Sequence, residues 1–553
     1  MSVYHIASDG RDSNSGGESD PLRTFEPLAE GGNLALSGDD EVVLHGTVPI
    51  SHGETLTLWH ADGVTIRGAG DGATIDCTNY DGNVEDRPVL WIGQSDNITI
   101  RDLEIHHAPG HPVAFEKTAT SASLPFDSIN DMKVGGHVVD CSFHHNGLPL
   151  MWGEGRGGVA ERVESYANFG PRDASLGSNV GGDADGIQFT SGPNDAESHH
   201  GGAVINCSLH HNSDDGLDLY RATGVVIKDS VAYANGYNLD GEKVGEAPGK
   251  GFKLGGGDED FDSGGCLIAN CAAWMNGAAG IGFNGSNLPS DIWNCTAFGN
   301  SRYRTREKDI EIYTLDGPSG NRTDESTFYN NIVEQGLMIS HTSLSTDHVE
   351  TNNFNNIGDV RTDFGDIDFR STSVGRAGNP DDWSAFLQLE PESNVVDTGT
   401  PTPTSTSGDR YHNAATELDY VGDAPNKGAD LHEGETDTTS SEPEFSLSPG
   451  VVVDDAFVRT DSGTASVVVG FRNISSDPIS FEVPVVVGGE EADSQSVSIG
   501  TLSNGRLGRT DESDASVVEE VSYDVGSGTN AGAVRVGPVS FSFDSNGDAV
   551  VHN

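Results

Sequence analysis

Apolar and polar residues alternate in short runs along most of the first 430 positions, with turn residues between the runs and no sustained helical spacing. Period-two alternation of this kind predicts short β-strands. The runs begin at 3–6, 41–44, 65–67 and 97–100, and from about residue 100 they become a repeat. Asp140-Cys141-Ser142-Phe143-His144-His145-Asn146 aligns with Asn206-Cys207-Ser208-Leu209-His210-His211-Asn212, and again with copies at 270–276 and 294–300. The closing asparagines fall at 146, 168, 212, 235, 276 and 300. Their steps of 22, 44, 23, 41 and 24 residues are one or two turns of a single period. A fixed period of this size built from short strands predicts a stacked β-solenoid. The asparagines then fit an internal ladder, each amide bonding its copy one turn away. The pairs His106-His107, His144-His145 and His210-His211 share one register, where Tyr, Trp or Phe replaces the first histidine in other copies. A stacked aromatic column explains that better than a metal site.

The ends differ in texture. Residues 22–30 read as a short amphipathic capping helix, since an open solenoid end exposes both core and strand edge. Residues 382–387 read as part of the opposite closure, 399–409 as an exposed loop, and 434–443 as a linker. Beyond it, valine-rich strands with polar turns suggest a β-sandwich. The expected organisation is an all-β chain: a parallel β-helix over 1–433, a linker over 434–443, and an accessory β-sandwich over 444–553.

Composition narrows the function. Glycine is abundant (72 residues) and the hydrophobic fraction is low at 34%, which suits a solenoid with many turns. Net charge is −57, from 87 acidic and 30 basic residues, so nucleic acid is excluded as a partner by repulsion. Regular apolar strands argue against disorder, and the acidity is read as the hydrated surface of a protein from a high-salt source. Cys77, Cys141, Cys207, Cys266, Cys271 and Cys295 lack zinc-type spacing, and most occupy one repeat position, so they read as buried thiols. No stretch reaches the ~20 apolar residues of a membrane span, and residues 1–6 do not read as a signal peptide. The sequons at Asn206 and Asn294 lie inside the repeat and are expected to be buried.

The candidate chemistry sits on a second repeat. Gly216-Leu217-Asp218-Leu219 matches Gly186-Ile187-Gln188-Phe189, Gly251-Phe252-Lys253-Leu254 and Gly280-Ile281-Gly282-Phe283. Stacked as neighbouring strands, these align Gln188, Asp218, Lys253 and Gly282 in one outward column, and Asp185, Asp215, Lys250 and Ala279 in the column before it. Asp218 and Lys253 should therefore face one groove a strand apart, with Asp185, Asp214 and Asp215 at the bend leading into it. Four converging carboxylates are costly unless a cation holds them, and hard oxygen ligands favour Ca2+.

These runs (Asp183 to Gly186, Asn212 to Tyr220, and Gly251 to Gly256) resemble the family 9 pectate lyases. The resemblance implies a right-handed parallel β-helix enzyme that cleaves polygalacturonate by β-elimination. It implies Ca2+ ligands at Asp185, Asp214, Asp215 and Asp218 and a catalytic lysine at Lys253. In that chemistry a cation on the uronate carboxylate stabilises the charge developing as the C5 proton leaves. A lysine base must be neutral, so its pKa has to fall, which a nearby divalent cation promotes by like-charge repulsion. Lys250 and Arg221 are candidates to bind flanking uronates. The expected partner is an acidic polysaccharide and the expected location extracellular, at the cell surface or on a virion. The acidic C-terminal region and the apparent lack of a signal peptide depart from the family. The alternatives are a non-catalytic or depolymerising glycan-binding tail spike, trimeric if viral, and an enzyme of this scaffold acting on another uronate or sulfated polymer.

Overall fold

The computed structural model describes residues 2–341 apart from 52–53, 81–87, 118–127, 171–180, 192–196, 245–246, 258–259, 303–308 and several positions between 315 and 336; it also describes 360–361, most of 367–393, Ala429, and the strand backbones between 451 and 552. The predicted loop at 399–409 and the linker lie outside these residues. The chain divides into two compact units, Met1–Gly434 and Glu435–Asn553.

The first unit is a right-handed parallel β-helix. Long strands such as Thr65–Asp76, His137–His144 and Val159–Tyr166 build its wide wall. Further along, the same wall splits into pairs, for example Ala203–Ile205 with Ser208–His210, and Leu267–Ala269 with Ala272–Trp274. The split falls where the backbone turns left-handed, at Asn206, Asp229, Asn270 and Asn294; the same bend lies inside the long strands at Asp140 and Arg162, and all six have φ of 50–55°. Asn and Asp tolerate this region best, which accounts for the residue that opens each repeat. Asn206, expected to be buried, is exposed at this bend, whereas Asn294 is buried.

A second bend, at His145, Ala167, His211, Ala234, Met275 and Gly299, precedes each ladder asparagine. The ladder is continuous. Asn168 Nδ2 donates to Asn212 Oδ1 (2.9 Å), Asn212 to Asn235 (3.1 Å), Asn235 to Asn276 (3.0 Å), Asn276 to Asn300 (2.9 Å), and Asn300 to Asp309 (2.9 Å). The asparagines also bond backbone groups, so a polar row in the core is satisfied. It is also why glycine opens the second repeat. A Cβ on Gly216 would fall 2.7 Å from the Gly251 carbonyl oxygen and 2.8 Å from Asn235 Nδ2, and Gly251 is as crowded.

On the wide wall His106, His144, Tyr166, His210, Tyr233, Trp274 and Phe298 stack, with centroid spacings from 4.5 to 6.3 Å. Residues near 371–389 cross the later part of this column: Trp274 Nε1 donates to the Gly378 carbonyl (2.7 Å) and Tyr233 to Asn379 Oδ1 (3.0 Å). Phe115, Trp152 and Phe189 stack inside, and all six cysteines are buried thiols.

Residues 22–30 cover the open end with Leu22, Phe25 and Leu28 fully buried, but as turns rather than the expected helix. One helical-type bond forms, from Ala29 N to Phe25 O, and goes no further because Glu30 N is taken by Thr57 O and Pro27 has no N–H. Among the described residues the α-helix is Ile129–Met132, and no helix is long and apolar enough to cross a membrane.

In the second unit, Val451–Asp461, Thr464–Asn473 and Val518–Gly526 form one antiparallel sheet. Glu490–Ile499, Ile479–Val487, Val534–Val536, Val539–Phe543 and Ala549–His552 form another.

Candidate active site

The narrow wall is a ten-stranded parallel sheet of short strands. Its strands Ile187–Phe189, Leu217–Asp218, Phe252–Lys253 and Ile281–Gly282 are successive neighbours. Ile187, Leu217, Phe252 and Ile281 point inward and are fully buried, so alternation turns the intervening residues outward. Register then aligns Gln188, Asp218, Lys253, Gly282 and Glu311.

Lys253 Nζ lies 3.0 Å from Asp218 Oδ2 and 3.2 Å from Asp215 Oδ2. Gln188 Nε2 donates to Asp218 Oδ2 from the other side (3.3 Å). One oxygen of each bend aspartate is held by a backbone N–H. Asp215 N donates to Asp185 Oδ1 (2.9 Å), Lys250 N to Asp215 Oδ1 (2.6 Å), and Asp183 N to Asp214 Oδ2 (3.1 Å). The carboxylates are therefore fixed in orientation by the turns themselves.

Their remaining oxygens are not satisfied. Asp185 Oδ2, Asp214 Oδ1 and Asp218 Oδ1 are buried without a hydrogen-bond partner among the described residues, and Asp215 Oδ2 faces the Lys253 ammonium without forming a hydrogen bond. Burial, reinforced by the other aspartates, pushes Asp185 well above the usual carboxylate range, and burial acts likewise on Asp214. Asp218 is raised by burial although Lys253 opposes it. Burial alone would lower the Lys253 pKa. Asp218, Asp215, Asp214 and Asp185 outweigh it and hold the ammonium well above its ordinary value. Without a cation the lysine is charged, the reverse of what a base requires.

Asp185, Asp215 and Asp218 each bring an oxygen to within 4.8 Å of the others, and these three are the one such group among the described residues. Orphaned, preoriented, hard oxygens in a buried cluster fit a calcium-type cation. Asp214 is adjacent, with a free oxygen of its own, but stands outside that group of three.

Lys250 and Arg221, the candidates to bind flanking uronates, are both buried beside the cluster. Lys250 is 3% exposed, and its Nζ is bound to Glu311 Oε2 at 2.5 Å. Its stem lies over Gly282, where a Cβ would come 3.2 Å from Lys250 Cδ. The missing side chain at that point in the column is what lets the lysine fold down onto the sheet. Arg221 is 6% exposed, with its guanidinium 4.2 Å from the Phe261 ring centroid and 5.2 Å from that of Tyr220. Sequence reading missed Glu311 because its strand, Ile310–Thr314, follows Asp309 rather than the glycine that flags the other copies.

Comparison with known proteins agrees with this architecture. The family described as Pel9A-like, right handed beta helix region matches residues 4–359. Pectate lyase PEL9 of Emericella nidulans is 25% identical over 334 residues, covering 53% of this chain and 74% of its own. Pectate lyase L of Paenibacillus polymyxa is 24% identical over 361 residues, or 62% and 63% of the two chains. The solved structure of pectate lyase Pel9A has a TM-score of 0.49 at 19% identity, over 78% of this chain and 96% of that one. With nearly two-thirds of its length matched by the family, this chain belongs to the Pel9A-like right-handed β-helix proteins.

Proposed function

We propose that the protein is a polysaccharide lyase that cleaves a pectate-like polyuronate by β-elimination. The observation that carries the reading is Asp218 and Lys253 in register beside buried aspartates with unsatisfied oxygens. Relatives named as pectate lyases support it over a tail spike that only binds glycans.

Asp185, Asp214, Asp215 and Asp218 would hold Ca2+. Bound there, it would neutralise the aspartates that keep Lys253 protonated and stabilise negative charge on a uronate carboxylate. Lys253 Nζ, once neutral, takes the C5 proton. The C5–H electrons form the C4–C5 double bond, the C4–O4 bond breaks, and the departing oxygen takes a proton from water. Gln188 keeps Asp218 aimed at the lysine through its bond to Oδ2. Arg221, held on Phe261, would carry a fixed positive charge beside Tyr220 toward a neighbouring uronate.

The same proposal takes residues 444–553 as an accessory β-sandwich, supported by the two antiparallel sheets. It places the enzyme outside the cell in a salt-rich setting, supported by the −57 charge, since salt must screen a polyanion approaching it.

Incubation with polygalacturonate and Ca2+ at high salt should raise ultraviolet absorbance as unsaturated product accumulates. Lys253→Ala should lower that rate by about a thousandfold, the scale of a lost general base, while keeping its fold. No absorbance rise on any of several polyuronates would sink the lyase reading, and a fully active Lys253→Ala would move the base elsewhere.

A further inference from the structure

We infer that the narrow wall carries a second, aromatic subsite, Trp59 with Trp91, which takes a sugar ring of the same polymer at a distance from Lys253. The inference rests on the polyuronate reading above. The column holding Gln188, Asp218 and Lys253 continues in register toward the N-terminus through Met151, Ala114, Trp91 and Thr57. Trp91 is five strand steps from Lys253, or about 24 Å at the usual strand spacing. Only a substrate of several sugars spans that length.

Unlike the fully buried Trp152, Trp274 and Trp293, Trp59 and Trp91 are only partly buried and belong to none of the buried clusters. They meet edge to face, with centroids 5.4 Å apart at 82°. The Trp59 ring lies flat over Gly93, where a Cβ would fall 2.0 Å from Cζ3, so the glycine makes the bed for the ring. Trp91 Nε1 points away from solvent, buried and without a hydrogen-bond partner among the described residues, so the ring face is what the pair offers. A partly exposed ring face for the apolar side of a pyranose is what sugar recognition needs here.

Charge supports the same occupant. In a chain with 87 acidic residues, the positions from Thr57 to Gln188 in this column carry none. The strand Val113–Glu116, whose Glu116 pairs with Gly93, is followed at once by Lys117, 53% exposed and 3.5 Å from Glu154. A polyanion laid along this column meets no acidic residue within it before the aspartate cluster, and of the carboxylates that flank it, Glu116 and Glu154, the latter is paired with Lys117. A second contact on the same chain raises the effective concentration of polymer at Lys253 without touching the chemistry.

The test compares Trp59→Ala, Trp91→Ala and Trp91→Phe with the parent protein, with thermal unfolding as the folding control. Retention on immobilised polygalacturonate needs no turnover. It should weaken by about fivefold or more in both alanine variants, the scale of losing an aromatic anchor, and be largely kept by Trp91→Phe. The KM for polymer should rise by a similar factor, while kcat/KM for a trisaccharide, too short to reach the tryptophans, stays unchanged. Unchanged retention in both alanine variants overturns the inference, as does an equal loss on long and short substrates, which would make the rings structural. If the parent cleaves no polyuronate yet retains the polymer through these tryptophans, the subsite stands and the lyase reading falls.

Discussion

At the scale of single residues, the site depends on which atoms are left without partners. Asp218 presents Oδ2 to Lys253 and Gln188 and leaves Oδ1 buried and unbonded. Asp218→Asn removes a charge and a hard ligand while keeping shape. Calorimetry should find Ca2+ affinity reduced by tenfold or more, about 1.4 kcal/mol or above. Unchanged binding would place the ion elsewhere. The aspartates and Lys253 were legible in the sequence because they sit at repeated offsets from a glycine. The fate of Lys250 was not. Its sequence position matches Asp185 and Asp215, but its side chain follows the gap left by Gly282 to Glu311, a residue 61 positions away.

At the scale of elements, the asparagine ladder and the aromatic column bind one turn to the next. Asn235 Oδ1 accepts from Asn212 N and Nδ2, and its Nδ2 donates to Leu209 O and Asn276 Oδ1. Asn235→Ala strands several of these buried groups at once. It should cost about 3 kcal/mol or more, read as a lowered urea midpoint; a loss below ~1 kcal/mol would show that the ladder only fills space. His211, 1% exposed, has its pKa pushed down to about 4, mainly by burial and then by His210 beside it. Unfolded, it titrates near 6.5, so between pH 6.5 and 4 the unfolded chain binds the extra proton. Stability should therefore fall as pH drops through that window, by about 3 kcal/mol at most from this residue, and His211→Phe should flatten the fall. An identical pH profile in the variant would refute this. The capping segment at 22–30 shows where element reading failed. Its apolar spacing suited a helix, but Pro27 and a bond from Glu30 to Thr57 of the next turn stopped propagation.

At the scale of the molecule, a −57 charge pushes every part of the chain apart. Screening lengths shrink from ~10 Å at 0.1 M salt to ~3 Å at 1 M, so the melting temperature should climb steeply with NaCl. A flat salt dependence would remove the case for a salt-rich setting. Ca2+ should add its own increment on top, roughly 2.7 kcal/mol at a hundred times its dissociation constant, and that increment should vanish in Asp185→Asn.

The sequence by itself determined the solenoid, its period, the inward and outward faces and the columns to which Asp218 and Lys253 belong. Repetition made this possible, because a fixed period converts sequence offset into strand register. Only the tertiary structure decided which carboxylate oxygens stay unpaired, that Lys250 turns to Glu311, and that Trp91 extends the column bearing Lys253 with Trp59 beside it. Those outcomes depend on side-chain direction and on gaps left by glycines several turns away, and no local pattern encodes either.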